Sequence, residues 1–452
     1  MTWLTLSQIA EMTDGTLHGK DRAVESISTD SRTVQSDQLF VAIAGERFDA
    51  HDFVQGIEAK AAAALVHKKI DCELPQIVVK DTLQSLGVFA QAWRKQFLNP
   101  VIGLTGSNGK TTVKEMLASI LACKGKVMAT FGNLNNEIGL PLTLLRLRES
   151  DDYAVIEMGA NHFGEIDYLS KITQPNVALL NNAGAAHLEG FGDVKGVSRA
   201  KAEIFAGLAD DGVAIINIDD QYADYWLSCN ENRSVIGFGF NDQADVKGEI
   251  DNDGLSIQIA GKKAVIKLAL QGQHNAMNAL AASAAAVAVG LSLKEIKQGL
   301  ESLQAVKGRL ATLKGLQGMQ VIDDTYNANP DSARVAIDVL AEKSKGKRIL
   351  VLGDMGELGD NAKQLHAEIG QYAKNKGIEA LYCLGDCSHQ ACQEFGDGGY
   401  SFDEIDPLLG QLKQEIGQSM TVLVKGSRSM RMERVVEALT DVKAKSEAVT
   451  AC

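Results

Sequence analysis

The sequence predicts a three-domain α/β protein. It has a small α/β unit over residues 1–82, a central parallel-sheet unit over 83–310 and a doubly wound, Rossmann-like unit over 311–452. Three observations lead there. A chain of 452 residues suggests about three domains at roughly 150 residues each. Short apolar runs alternate with stretches of helical spacing along most of the chain, the pattern of parallel strands covered on both faces. A glycine-rich turn, Gly106-Ser-Asn-Gly-Lys-Thr111, joins a strand to a helix.

In chain order, Leu39–Ile43, Ala62–Val66 and Gln76–Val79 are the apolar runs of the first unit, separated by turns and polar segments. At Val101 the pattern becomes strand (VIGLTG), turn (SNGK) and helix (TTVKEMLASILA). Buried-strand candidates follow at Tyr153–Met158, Asn176–Leu180 and Gly212–Ile216. Between Asp245 and Leu270, alternating runs around Asn252-Asp-Gly254 and Gly261-Lys-Lys263 predict antiparallel hairpins at a sheet edge, ahead of a helix after His274. A break near Gly308 opens the third unit, whose strands are Met319–Ile322, Arg348–Leu352, Ala380–Leu384 and Met420–Val424. The last ten residues, KAKSEAVTAC, carry little apolar periodicity and predict a frayed tail.

Composition narrows the function. Hydrophobic residues at 45% and charged residues at 23% are those of a folded protein, and 6 prolines are too few for a Pro-rich linker. The net charge of −13 excludes a broad nucleic-acid footprint, so anionic ligands need local sites. No run approaches the roughly 18 apolar residues of a membrane span, and no membrane insertion is expected. The N-terminus lacks a basic segment and carries Glu11 where a signal peptide needs an apolar core. A cytoplasmic location follows as an expectation, with the 7 scattered cysteines reduced. A monomer is expected.

The turn at Gly106 has the context in which backbone N–H groups and a helix N-terminus surround phosphate oxygens. Lys110 would reach the terminal phosphates and the Thr111 hydroxyl would hold Mg²⁺. A side chain at Gly109 would obstruct the approach of backbone to phosphate. The common form of this loop has another glycine five positions before Gly109, where this chain has Leu104, so the match is to a shorter variant.

Glu157 ends a predicted strand, at the edge where ligands of open α/β sheets gather, and is either a magnesium ligand or a solvated strand-end acid. His187 follows another strand at the same edge, as a second ligand or a plain hydrogen-bonding histidine. From spacing alone Lys201 reads as a solvated helical lysine. Cys383, Cys387, His389 and Cys392 raise a zinc site, but Cys383 falls inside an apolar strand and the spacing is not that of a zinc ribbon, so a buried thiol beside scattered loop residues is the better reading.

TGSNGKTT, GNLNNEIGLP, IEMGANHFGEI, AAHLEGFG, AKAEIF, GQHNAMNALAA, GRL, DDTYNANPDS and LVKGSRS occur in this order over most of the chain. Together they resemble the Mur ligase family, the ATP-dependent amide-forming enzymes of peptidoglycan precursor synthesis. The segment from Ser28 to Phe53 looks like that family's uridine-nucleotide-binding domain, and GDMGELG like its C-terminal domain.

The resemblance implies that Gly106, Ser107, Asn108, Gly109, Lys110, Thr111 and Thr112 bind ATP. Thr111 and Glu157 would engage Mg²⁺ and His187 a second magnesium, with Lys201 at the position the family carbamylates; a carbamate turns a cation into a carboxylate-like group. Lys110, Glu157, His187 and Lys201 are thus the implied catalytic set. Asn275 and Asn278 match the nucleotide-side asparagines, and Arg309 and Asp324 the interdomain ATP contacts, Asp324 on the ribose side. Read blandly, these are an N-capping asparagine, a surface arginine and a strand-end acid.

Ser31, Arg32, Arg47, Phe48, Asp49 and His51 would by similarity face the UDP-sugar, and Asn133, Asn135 and Asn136 the active-site cleft. Tyr326, Asn327, Asn329, Lys425, Ser427 and Arg428 would help place the incoming dipeptide or the phosphates. The implied reaction joins D-alanyl-D-alanine to UDP-N-acetylmuramoyl-tripeptide through an acyl phosphate, with domain closure about hinges near Asp81–Ser85 and Gly308–Leu313. The aspartate-asparagine-proline-arginine signature of the diaminopimelate-adding members is absent, which favours the dipeptide-adding branch; Pro330 is no requirement of that branch. The rivals are a sister ligase adding the third amino acid, a folate-type glutamyl ligase, which the N-terminal segment disfavours, and a P-loop switch that makes no bond.

Overall fold

A computed structural model describes residues 4–45, 48–251, 254–270, 272–303, 308–343 and 346–440. Arg47, Asn252, Asp253 and residues 441–452 lie outside the described residues.

The chain forms three sheets. The N-terminal one has five strands in the order Thr16–His18, Gln76–Val78, Ala63–Val66, Gln38–Val41, Ser26–Ser28. Its first strand runs antiparallel to its neighbour and the rest are parallel. The loops that leave Ser26–Ser28 and Gln38–Val41 therefore emerge at one end of the sheet, and they carry Ser31, Arg32, Phe48 and Asp49.

The central sheet has nine strands in the order Lys262–Ile266, Gly254–Ile259, Val246–Asp251, Ser234–Gly239, Val213–Asn217, Val177–Leu180, Val101–Thr105, Tyr153–Glu157, Val127–Ala129. It is parallel from Val127–Ala129 to Val246–Asp251, and the last two strands are the expected antiparallel hairpins at the edge. Strands such as Val101–Thr105 and Tyr153–Glu157 are buried along their whole length. That is why they read as unbroken apolar runs and not as alternation.

One face of the central sheet packs on the helices Lys110–Leu121, Gln273–Ala288 and Leu293–Ser302. The other shares a continuous core with a face of the N-terminal sheet, through the helix Thr82–Arg94. Asp81 caps that helix by accepting from the Gln84 N–H at 2.9 Å. Trp93, fully buried on it, donates Nε1–H to the Leu147 carbonyl at 3.2 Å. Buried Arg94 donates to the carbonyls of Thr173, Phe97 and Gln174. The helix thus ties the first sheet to the second.

The C-terminal sheet has six strands in the order Ala311–Lys314, Gln320–Asp324, Met420–Lys425, Lys347–Gly353, Ala380–Leu384, Gly399–Phe402, all parallel except the first. Apolar clusters cover both its faces. The chain runs outward from Lys347–Gly353 and returns beside it at Met420–Lys425, so the order reverses there and opens a crevice at the strand ends. Pro330 begins the helix Pro330–Lys343, a first-turn position where its missing N–H costs nothing.

The zinc alternative does not assemble. Cys383 and Cys392 approach each other at 2.6 Å between sulfurs inside the C-terminal core, while His389 turns to Asp403 at 3.5 Å. Among the described residues, no helix is long and apolar enough to cross a membrane.

Candidate active site

The carboxyl ends of the parallel central strands build the site. After Val101–Thr105 the chain turns through Gly106–Gly109 into the helix Lys110–Leu121. Gly109 has φ +78°, and a Cβ there would lie 2.3 Å from Asn278 Oδ1 and 2.9 Å from Asn181 Nδ2. Both the left-handed backbone and the close approach of the facing asparagines require glycine. Lys110 folds back over the loop, its ammonium donating to the carbonyls of Gly106 at 2.8 Å and Ser107 at 3.3 Å. Burial pushes its pKa down, with Glu157 opposing.

Asparagines brace the loop from behind. Asn181 Nδ2 donates to the Asn108 carbonyl at 2.9 Å and to Asn278 Oδ1 at 3.0 Å, and Asn182 Oδ1 accepts from the Asn108 N–H at 2.9 Å. Asn278 in turn donates to Asn275 Oδ1 at 3.4 Å. Asn275 is no N-cap: Gly272 holds that position. Asn181 and Asn182 escaped the sequence reading, although an Asn-Asn pair directly after a buried strand marks the ligand edge of such sheets.

Glu157, 1% exposed, ends its strand beside the loop. It accepts from Thr111 Oγ1 at 3.1 Å and from Asn135 Nδ2 at 2.8 Å. A buried carboxylate bonded to the phosphate-loop hydroxyl is a hard oxygen donor set suited to Mg²⁺, and the solvated-acid reading of Glu157 fails. Asn133 and Asn136 are exposed, and Asn136 accepts from the Gly139 N–H at 2.9 Å. A cavity of about 400 Å³ lies alongside, lined by Glu137, Gly159, Phe163, Glu165 and Tyr168.

Lys201 is not the solvated lysine its helical spacing suggests. It is fully buried on the helix Val194–Ala202, 5.3 Å from the Phe191 ring centroid, and its amine has no hydrogen-bond partner. Burial, with Lys110 nearby, pushes its pKa down to about 7. His187, in the left-handed region at φ +54°, places Nδ1 2.5 Å from Glu357 Oε2 of the C-terminal unit. That contact holds the Glu357 carboxyl below its ordinary range, against the effect of its partial burial. Glu357 lies in GDMGELG, which the sequence reading used only as a landmark.

From the junction at Arg309 onward, four side chains reach the central unit, two at the phosphate loop and two at the segment Ala185–His187. Arg309 stacks on Tyr326, 4.0 Å from the ring centroid, and donates to Thr111 Oγ1 at 3.0 Å, so it is no free surface arginine. Asn329 donates to Asn108 Oδ1 at 2.8 Å while capping its own helix through Ser332. Asp331, unnoticed in the sequence, accepts from the Ala185 N–H at 2.8 Å. Glu357 on His187 is the fourth.

Behind them, Asp324 accepts from the Leu310 N–H at 3.2 Å and pairs with buried Lys425, which also donates to the Asn327 carbonyl at 3.0 Å. Ser427 Oγ accepts from the Gly356 N–H at 2.7 Å across the strand-order reversal, and Arg428 lies outward against Glu433.

The N-terminal candidates form a separate group on their own sheet. Arg32 makes a bidentate pair with Asp30, Ser31 is half-buried, and Phe48 is 66% exposed. Asp49 accepts from buried His51 at 2.5 Å, and His51 Nε2 accepts from the His67 N–H at 3.0 Å. His67 joins them in the one His/Asp cluster of metal-ligating type among the described residues, but both His51 nitrogens are already engaged.

Family comparison places this geometry. Models of the Mur ligase catalytic domain, middle domain and glutamate ligase domain match residues 23–124, 104–286 and 308–428. An Escherichia coli (strain K12) protein named UDP-N-acetylmuramoyl-tripeptide–D-alanyl-D-alanine ligase is 44% identical over 98% of this chain and 99% of its own.

The chain belongs to the Mur ligase family.

Among solved Mur ligase structures, MurF from Acinetobacter baumannii superposes with a TM-score of 0.89 at 38% identity, over 97% of this chain and 99% of that one. MurF ligase from Thermotoga maritima, in complex with ADP, gives 0.80 at 28% identity, over 92% and 97%. The three-sheet α/β architecture is thus that of the family.

Proposed function

We propose that this chain is the ATP-dependent ligase that joins D-alanyl-D-alanine to UDP-N-acetylmuramoyl-tripeptide, giving the pentapeptide precursor. The observation that carries the reading is the seating of Arg309, at the junction between the central and C-terminal units, and of Asn329 of the C-terminal unit directly on the phosphate loop. A switch that makes no bond has no use for a second unit reaching the transferring phosphoryl group. The naming of relatives such as the Escherichia coli protein supplies the substrate pair, and the ADP in the Thermotoga maritima structure supports ATP as the nucleotide.

The tripeptide's terminal carboxylate attacks the ATP γ-phosphorus, forming an acyl phosphate and releasing ADP. The dipeptide amine then attacks the acyl carbon, and the tetrahedral intermediate expels phosphate to leave an amide. Activation is needed because a free carboxylate is a poor electrophile. Lys110 exchanges its loop carbonyls for phosphate oxygens and offsets charge there, and the loop amides fix the attack line. Arg309, planar on Tyr326, adds charge from the opposite side. No side-chain nucleophile takes part.

Thr111, Glu157 and His187 would hold magnesium, which when bound neutralises the phosphate charge. Lys201 fits that set only once modified. As a free base near neutral pH, its amine can attack carbon dioxide, forming an N–C bond and releasing a proton, and the resulting carbamate is anionic. Ser31, Arg32, Phe48 and Asp49 face the uridine nucleotide, with buried His51 acting on that site only through its contact with Asp49 and Arg47 assigned to the same role on similarity alone. Asn133, Asn135 and Asn136 border the cleft, Asp324 takes the ribose side, and Tyr326, Asn327, Lys425, Ser427 and Arg428 place the dipeptide or phosphates.

Incubation with ATP, Mg²⁺ and both substrates, read by mass spectrometry, tests the reading. ADP formation without a pentapeptide would overturn the assigned substrate pair.

A further inference from the structure

Asn329 and Asp331 flank Pro330 at the start of the helix Pro330–Lys343, and both reach across to the central unit. Asp331 accepts from the Ala185 N–H at 2.8 Å, and Asn329 donates to Asn108 Oδ1 at 2.8 Å. The segment that Asp331 meets is itself tied to the phosphate loop. Ser107 Oγ accepts from the Gly184 N–H at 2.9 Å and donates to the Gly184 carbonyl at 3.3 Å. Gly184–Ala185 thus lies between the loop on one side and the C-terminal unit on the other.

The approach is close enough to depend on a missing side chain. A Cβ on Gly184 would lie 2.5 Å from Asp331 Oδ2, so any other residue there displaces the carboxylate. Arg334, one turn along the same helix, stands 3.5 Å from Oδ1 and bonds Glu368 at 3.0 Å, leaving Oδ2 to the Ala185 N–H. A backbone N–H is a directional donor. The bond therefore fixes where the start of this helix, and with it Asn329, stands against the phosphate loop.

We propose that Asp331 is a positioning residue that docks the C-terminal unit on Gly184–Ala185 and so seats Asn329 on the phosphate loop. Occupation of the loop at Ser107 and docking of the C-terminal unit are thereby linked through one two-residue segment. The inference rests on the reading of this loop as the ATP site of the ligase.

The test measures kcat/KM for D-alanyl-D-alanine in the full chain, together with small-angle scattering under a saturating non-hydrolysable ATP analogue. Asp331→Ala should lower kcat/KM about tenfold and leave the chain less compact. Tenfold is the low end for a hydrogen bond to a charged acceptor, because the carboxylate is 41% exposed. Asp331→Asn keeps an oxygen for the Ala185 N–H and should recover most of that loss. Gly184→Ala should cost a similar factor by pushing the carboxylate away. In an Asp331→Ala background it should cost little further, since its Cβ then meets no carboxylate.

Unchanged kcat/KM or unchanged compactness in Asp331→Ala, equal losses in the Asn and Ala variants, or full additivity in the double variant would each overturn the proposal. So would losses that track a lower melting temperature across the variants, the mark of a purely structural role. The ligase reading is judged separately, from the products of the unaltered chain. Were that chain to form no pentapeptide, the ligase reading would fail and the scattering comparison would still decide the docking role.

Discussion

Replacing Lys201 with methionine should stabilise the protein while abolishing its activity. The amine is fully buried without a hydrogen-bond partner, and its pKa falls from 10.5 to about 7. At about 1.4 kcal/mol per pH unit, that depression costs folding roughly 5 kcal/mol at neutral pH as an upper bound. Relaxation and loss of the side chain's own packing reduce the net gain of Lys201→Met to about 2 kcal/mol, or about 4–8 °C in the melting of a domain of this size.

The sign follows from linkage. Between the folded and unfolded pKa values the unfolded chain holds the extra proton, so the lysine's penalty is full below pH 7 and fades as pH rises towards 10.5. The advantage of the methionine variant should shrink over that window. Calorimetry in carbon-dioxide-free buffer from pH 6 to 10 is the assay, and added bicarbonate should stabilise only the unaltered chain, by forming the carbamate. A variant that melts lower than the unaltered chain at pH 7, or a difference independent of pH, would refute the account of a strained neutral amine.

Other expectations follow from single contacts. Lys110→Ala should lose ATP turnover by at least about a hundredfold with thermal melting nearly unchanged; steady-state ADP release checks it. Gly109→Ala forces a Cβ to within 2.3 Å of Asn278 Oδ1 at φ +78°, and should cost about 1–2 kcal/mol in strain together with ATP-analogue binding, measured by calorimetric titration. Trp93→Ala empties the joint between the first two sheets and should cost about 3–5 kcal/mol, read as a lower denaturant midpoint; it should shift stability far more than the KM for ATP.

The phosphate loop was legible because its residues are adjacent in sequence and each has a mechanical reason. Strands Tyr153–Glu157 and Ala380–Leu384 were legible because burial on both faces leaves apolar runs. Most of the strands that escaped are short or lie at edges, and Thr16–His18, Ser26–Ser28, Val127–Ala129, Ala311–Lys314 and Gly399–Phe402 carry too few buried positions to show a period; Ser234–Gly239, inside its sheet, is interrupted by two glycines.

The character of Lys201 was invisible, since a helix lysine is ordinarily solvated and only the tertiary fold shows it enclosed. Glu357 and Asp331 escaped for a related reason. Their partners, His187 and Ala185, are more than a hundred residues away in sequence, and spacing carries no signal for a contact between domains.

The central claim is the amide-forming reaction with its substrate pair. The most direct measurement incubates the purified protein with ATP, Mg²⁺, UDP-N-acetylmuramoyl-tripeptide and D-alanyl-D-alanine, omits each component in turn, and weighs the products. The account predicts UDP-N-acetylmuramoyl-pentapeptide matched mole for mole by ADP and phosphate, and lost with any omission. ATP consumed only with a different amino acid, or no ligation under any combination, would contradict it.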